Sequence, residues 1–144
     1  MSKWWLCLLI SLPSFAGTLP NASITMGDVR TSNKQDICFT ATSTVRNVPE
    51  SEKKAVYKEY NVTNDKSVCS QGLEVDHLIS LELGGSNNIK NLWPQSYCGQ
   101  WNAHDKDKLE NELHRQVCAG KITVIDAQQC ISTNWITCYQ KIIK

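Results

Sequence analysis

The segment EVDHLISLELGGSNNIKNLWPQ sets an adjacent acid and imidazole, Asp76 and His77, ahead of a glycine-rich turn and an amide, Asn91. The stretch after it reaches a further amide, Asn102. Carboxylate and amide oxygens suit a hard divalent cation such as Mg2+. A neutral imidazole beside them could deprotonate water near neutral pH. Together these groups fit metal-assisted attack on a phosphodiester, in which the cation stabilises charge building on the phosphate and on its leaving oxygen. Each residue also has an ordinary reading. Asp76-His77 could cap a strand end and Asn91 a turn, while Glu74 and Glu82 read as solvated or salt-bridged strand residues. Lys106 could contact phosphate or be a plain helix lysine. Arg46, Lys53, Lys54 and Lys58 could face nucleic acid or solvent. Trp93, Trp101 and Trp135 read as core rather than platforms for bases, and His114 as helix surface.

In order and spacing, Asp76-His77, the apolar run 78–83, Gly84-Gly85 and Asn91-Leu92 resemble the motif of the HNH, or ββα-metal, endonucleases. The likeness covers residues 73–118, roughly a third of the chain. The resemblance implies that His77 is the general base, that Asp76 is a metal ligand and that Asn91 holds the His77 ring. It implies a second metal ligand on the following helix, one divalent cation (Mg2+, with Mn2+, Ni2+ or Zn2+ as alternatives) and products with 5′-phosphates. Asn102 and His104 both offer themselves as the helix ligand. An α-helix turns about 100° per residue. Leu109, Leu113 and Val117 recur at spacing four, and counting back along that stripe reaches Lys106 and then Asn102. His104 falls on the other side, so Asn102 is the expected ligand and Lys106 the expected substrate contact. Two features depart from the family pattern. No C-x-x-C pair is present to brace the motif with zinc. Adjacent strand residues also point to opposite faces, so Asp76 and His77 share a site only where the strand ends or bulges.

The elements that must position these groups follow from periodicity. Residues 73–83 read as a strand, 84–88 as a turn, and 89–93 as a second strand stopped by Pro94. A helix follows over 101–118, closed by Ala119-Gly120. A last helix over 125–142 repeats apolar residues at Ala127, Ile131, Trp135 and Cys138. Upstream, 17–36 reads as a polar arm and the β-branched 37–45 as a strand. A short helix follows Pro49, with Ala55, Val56 and Tyr60 on one face and Ser51 as its cap. Residues 61–72 read as a loop. The predicted fold is α+β: a ββα-metal core with an additional N-terminal strand and helix and a C-terminal helix. Residues 1–16 form a leader, 17–72 pack on the core, and 73–144 hold the core and last helix.

The leader reading rests on Lys3, an apolar run over 4–12, Pro13 and small residues ending at Ala16, the pattern of a secretory signal. Export to the periplasm or beyond, with no membrane span in the mature chain, is the expectation. Six cysteines follow the leader: Cys38, Cys69, Cys98, Cys118, Cys130 and Cys138. An even set in a small exported chain predicts disulfides, and Cys118–Cys130 across the Gly120 turn is the favoured pair. The chain carries 15 basic and 14 acidic residues, and Lys3 belongs to the leader, so the remainder balances. That argues against tight non-specific nucleic-acid binding but allows an enzyme that meets phosphates with a metal and a few local cations. The expected substrate is nucleic acid, DNA ahead of RNA, cleaved with little sequence specificity. The competing reading is an exported, disulfide-bonded binding or inhibitor module that keeps the ββα shape without catalysis.

Overall fold

The computed structural model describes residues 18–143; the expected leader, residues 1–16, lies outside them. Two short strands, β1 (Leu73–His77) and β2 (Leu92–Ser96), pair antiparallel with Leu73 opposite Ser96 and His77 opposite Leu92. The strand expected over 73–83 therefore stops at His77. Beyond it the backbone is drawn into a tight loop. A Cβ on Gly85 would lie 1.7 Å from the Ile79 carbonyl oxygen, and Gly84 sits at φ +84°. Only a chain without a side chain there can make that approach. Leu81–Leu83 forms a 3-10 turn instead of more strand. The second strand is also displaced. Residues 89–91 make another 3-10 turn capped by the Asn88 side chain, and β2 runs through Pro94. A two-stranded sheet has only edges, where a missing N–H is tolerated.

The helix after the hairpin spans Ala103–Cys118, and the last spans Val124–Ile142. Upstream, the β-branched 37–45 segment is not a strand. It forms the helices Lys34–Phe39 and Thr42–Val45. The Asn33 side chain accepts the N–H groups of Gln35 and Asp36, so capping overrides a weak β propensity. The helix after Pro49 spans Glu50–Glu59, with Pro49 rather than Ser51 at its cap, and buries Val56. One more turn, Asp65–Val68, lies within the expected loop and is capped by Asn64. In chain order the helices are α1 to α6. The result is an α+β chain with one small sheet among the described residues.

Ile37, Leu83, Leu109, Leu113, Val117, Ala127, Ile131 and Trp135 form the main apolar cluster, joining α1, α5, α6 and the Leu81–Leu83 turn. A second cluster holds Val56, Tyr60, Leu78, Leu92 and Trp93, so α3 packs on the hairpin. The expected arm is tied down as well: Val29 bridges Gly85 and Thr25 Oγ1 donates to the Leu92 carbonyl. No helix among the described residues is long and apolar enough to cross a membrane.

All six described cysteines are paired, as Cys38–Cys118, Cys69–Cys98 and Cys130–Cys138. The expected Cys118–Cys130 link is not formed. Cys118, at the end of α5, meets α1, while Cys130 meets Cys138 across a break in α6 at Asn134, whose backbone is extended (φ −164°, ψ 99°). In the chain-entropy account a closed loop of 80 residues stabilises by about 4.5 kcal/mol and one of 8 by about 2.5 kcal/mol. Non-reducing peptide mapping should return these three pairs. Serine replacement of Cys38 and Cys118 together should lower stability by urea melt about twice as much as replacement of Cys130 and Cys138. A Cys118–Cys130 peptide, or the opposite ranking, would overturn the connectivity.

Candidate functional site

Strand alternation sends Asp76 and His77 to opposite faces of β1. Asp76 faces α5, where its Oδ2 accepts from Lys106 Nζ at 2.7 Å. Lys106 has no exposed surface. Its ammonium also donates to the His77 carbonyl at 2.7 Å and to Glu110 Oε1, one helical turn on. Helical phase thus turns Lys106 to the hairpin as the sequence predicts, but the expected phosphate contact is corrected: three protein acceptors occupy its three N–H groups. Burial works against the charge, yet the Asp76 and Glu110 carboxylates outweigh it and hold the ammonium above the ordinary lysine range. Glu110 is pushed up to about 8 by its own burial, against the pull of Lys106. Glu110 is the more deeply shielded of the two acids, so its desolvation outweighs the pull of the shared ammonium.

His77 points the other way and is 2% exposed. Its Nε2 lies 3.1 Å from Asn87 Oδ1. The orientation of that amide is set by the backbone: Asn87 Nδ2 donates to the Val45 carbonyl at 2.8 Å, and Asn47 N–H donates to Asn87 Oδ1 at 3.2 Å. Oδ1 can only accept, so Nε2 must carry the proton and Nδ1 the lone pair. Desolvation lowers the His77 pKa, and the charges of Arg46 and Lys106 push the same way, against Asn87 and Asp76. The imidazole is neutral near pH 7, the form a base requires.

Asn91 does not hold the His77 ring. Wholly buried, it braces the loop instead. Its Oδ1 accepts Ile79 N–H at 2.9 Å and Asp28 N–H at 3.3 Å, and its Nδ2 donates to the Ile79 and Ser86 carbonyls at 2.9 Å each. Asn87 takes the ring role. It lies in the turn that sequence reading treated as spacer, with a second asparagine beside it to mask the signal. Glu110 was also missed, although its i,i+4 spacing from Lys106 is visible in the sequence.

Asn102 caps α5. Its Oδ1 accepts the N–H groups of His104 and Asp105 in a capping box, and its Nδ2 donates to the Gly99 carbonyl. Two donors saturate the amide oxygen, so the expected metal-ligand role is corrected to a cap. His104 is exposed and its ring packs 5.3 Å from that of Tyr97. Tyr97 Oη donates to Glu74 Oε2 at 2.5 Å. Burial raises the pKa of Asp107, with Asp76 repelling it further, and also that of Glu74. The Asp76 side of the hairpin is therefore acidic. Among the described residues, the one tight group of potential ligand atoms is Cys38, His114 and Cys118, all within 4.8 Å of one another. Both sulfurs belong to one disulfide and carry no thiolate charge for a cation. His114 Nε2 lies 3.2 Å from the Ile37 carbonyl.

The Lys106 assignment separates structure from substrate contact. Lys106→Ala should destabilise the fold by about 3 to 5 kcal/mol in urea melts, as loss of one partner of a buried pair does, rather than leave stability intact and weaken substrate binding alone. Glu110→Gln should be mild, with a pH signature. A raised carboxyl pKa in the fold means that folding takes up a proton above about pH 4.5, so wild-type stability falls as pH rises towards 8. Glutamine lacks that term. Its melting temperature relative to wild type should therefore rise from pH 5 to pH 9, and a flat difference would contradict the protonated Glu110.

No family model, curated protein or solved structure matches the chain.

Proposed function

We propose that the chain is a metal-dependent endonuclease of the HNH type, in which β1, β2 and α5 serve as the ββα-metal core. The observation that carries this reading is the state of His77: a neutral imidazole whose Nε2–H is held by Asn87, leaving the Nδ1 lone pair as the base. In the reaction, Nδ1 takes the proton of the attacking water. The metal has to be tested against the residues present. Asn102 is committed to its cap, which argues against an all-protein cage. Asp76 is different: Lys106 meets Oδ2, the side chain is 17% exposed, and Oδ1 has no hydrogen bond among the described residues. One carboxylate oxygen fits Mg2+, which keeps several waters and binds through one or two carboxylates and substrate phosphates. When bound, the cation would neutralise charge developing on the phosphate oxygens and the leaving oxygen. DNA ahead of RNA is the proposed substrate, cleaved to 5′-phosphates. Three disulfides support an oxidising compartment, and we read residues 1–16 as the export signal.

The non-catalytic binding or inhibitor module has one observation in its favour, since Asp76 and Asn102 already have protein partners. Purified protein decides between the two. It should nick supercoiled plasmid with Mg2+ and stop with EDTA, and His77→Ala should be at least about 100-fold slower with an unchanged circular dichroism spectrum. Plasmid left intact with Mg2+, Mn2+, Ni2+ and Zn2+ would sink the nuclease reading. Intact mass of the exported protein should correspond to a chain starting at Gly17; a retained Met1 would reject the leader.

A further inference from the structure

Among the basic residues near α3, Arg46 is the one the chain ties to His77. It is the C-cap residue of α2, and the same amide holds both its neighbours. Val45 offers its carbonyl to Asn87 Nδ2 at 2.8 Å, and Asn47 donates its N–H to Asn87 Oδ1 at 3.2 Å. That oxygen also receives His77 Nε2–H at 3.1 Å. The backbone of residues 45–47 is thereby latched to the edge of the imidazole. Arg46 is exposed and takes part in no ion pair among the described residues. Its charge is felt at the His77 ring, where it opposes protonation. Lys106, the other cation whose charge reaches that ring, is sealed, and Lys53 is paired with Glu50 at 2.6 Å.

An unpaired guanidinium carried by backbone that is latched to the His77–Asn87 pair presents a planar fork that matches two oxygens of a phosphate. We propose that Arg46 is the phosphate-binding residue of the site, gripping a non-bridging oxygen pair of a nucleic-acid phosphodiester, with the Asn87 latch setting its distance from His77. The inference rests on the nuclease reading and names the side from which substrate arrives. Glu74, Asp76 and Asp107 make the opposite face of the hairpin acidic, so phosphates without a cation are repelled there. The strand is received on the Arg46 side.

The test uses the full mature protein and a short fluorescein-labelled DNA duplex, with binding read by anisotropy in EDTA and cleavage read on plasmid with Mg2+. Arg46→Ala should weaken duplex binding about tenfold or more and flatten the salt dependence by about one counterion. It should lower kcat/KM about 10- to 100-fold, the worth of a charged hydrogen-bonded contact. Arg46→Lys should recover part of the loss, because it keeps the charge without the fork. Lys141→Ala removes an equal charge at the last turn of α6 and should change neither measurement. Arg46→Ala matching wild type in both, beside an inactive His77→Ala, overturns the Arg46 assignment and spares the nuclease reading. Arg46→Ala and Lys141→Ala with equal losses would reduce the effect to net charge and overturn it too. A wild type that binds duplex without cleaving it ends the nuclease reading and leaves Arg46 to be judged on binding. A wild type that does neither ends both.

Discussion

A primary ammonium sealed from water needs an acceptor for each N–H and a negative charge close by, or its desolvation goes uncompensated at several kcal/mol. Lys106 finds its acceptors on the Asp76 side chain, the His77 carbonyl and Glu110. Two of the three belong to the last residues of β1 and the third to α5 itself, so the ammonium joins the helix to the end of the strand. The geometry is restrictive in a way that apolar packing is not. A rotation of α5 by one residue would withdraw Nζ from both acceptors on β1. The rest of the helix is arranged around that phase: below Lys106 lie Asn102 and the cap, and above it Leu109, Leu113 and Val117 meet α6 and Ile37.

Two side-chain amides, the buried Asn91 and the half-buried Asn87, complete the frame. Asn91 has four backbone partners and fixes where the chain goes after β1. Gly85 makes the close approach to Ile79 that this path demands. Only because the loop is held in this way does Asn87 arrive opposite His77 with its amide already oriented by Val45 and Asn47. The order of dependence runs from Asn91 to the loop, from the loop to Asn87, and from Asn87 to the tautomer of His77. Loss of a partner for a buried amide costs about 1 to 3 kcal/mol, so the first step, which rests on Asn91, is enforced energetically rather than merely permitted.

What could be read from the sequence followed what is local and periodic. The helix ending at Cys118, the apolar repeat of α6, the inward phase of Lys106 and the oxidised cysteines are properties of spacing, and all four are found in the structure. What escaped depends on long-range partners. The stretch 37–45 has β-branched residues but no strand to pair with, and Asn33 turns its start into helix. The two expected strands lost residues to 3-10 turns because Asn91 and Gly85 bend the loop. Asn87 and Asn91 are chemically identical, and spacing does not reveal which one reaches the imidazole. Asn102 could be assigned to the start of the helix, but a start position is where a side chain caps backbone, and the cap won over the ligand.

The near-zero charge of the chain misleads about how it could meet a polyanion. Formal counting gives each lysine and arginine equal weight, but Arg30, Lys53, Lys106, Lys108 and Arg115 stand within 4 Å of carboxylates, and Lys106 is out of reach of solvent altogether. Those cations already face carboxylates within the chain, so a phosphate in solution meets a smaller number of unpaired ones, unevenly placed. Around the hairpin the unevenness has a cause in strand alternation. Because neighbouring residues leave opposite faces, the carboxylate and the imidazole of one dipeptide enter different surroundings: Asp76 joins Lys106 and the other acids, and His77 joins Asn87 and the segment carrying Arg46. One face then has the field that would attract a cation, and the other a neutral base beside an arginine. In the proposed reaction a phosphodiester has to lie across the end of β1, between the acidic face and the His77 face. The termination of β1 at His77, within the loop that Asn91 braces, is the point at which the proposed reaction would need an acid and a base on opposite faces to serve a single bond.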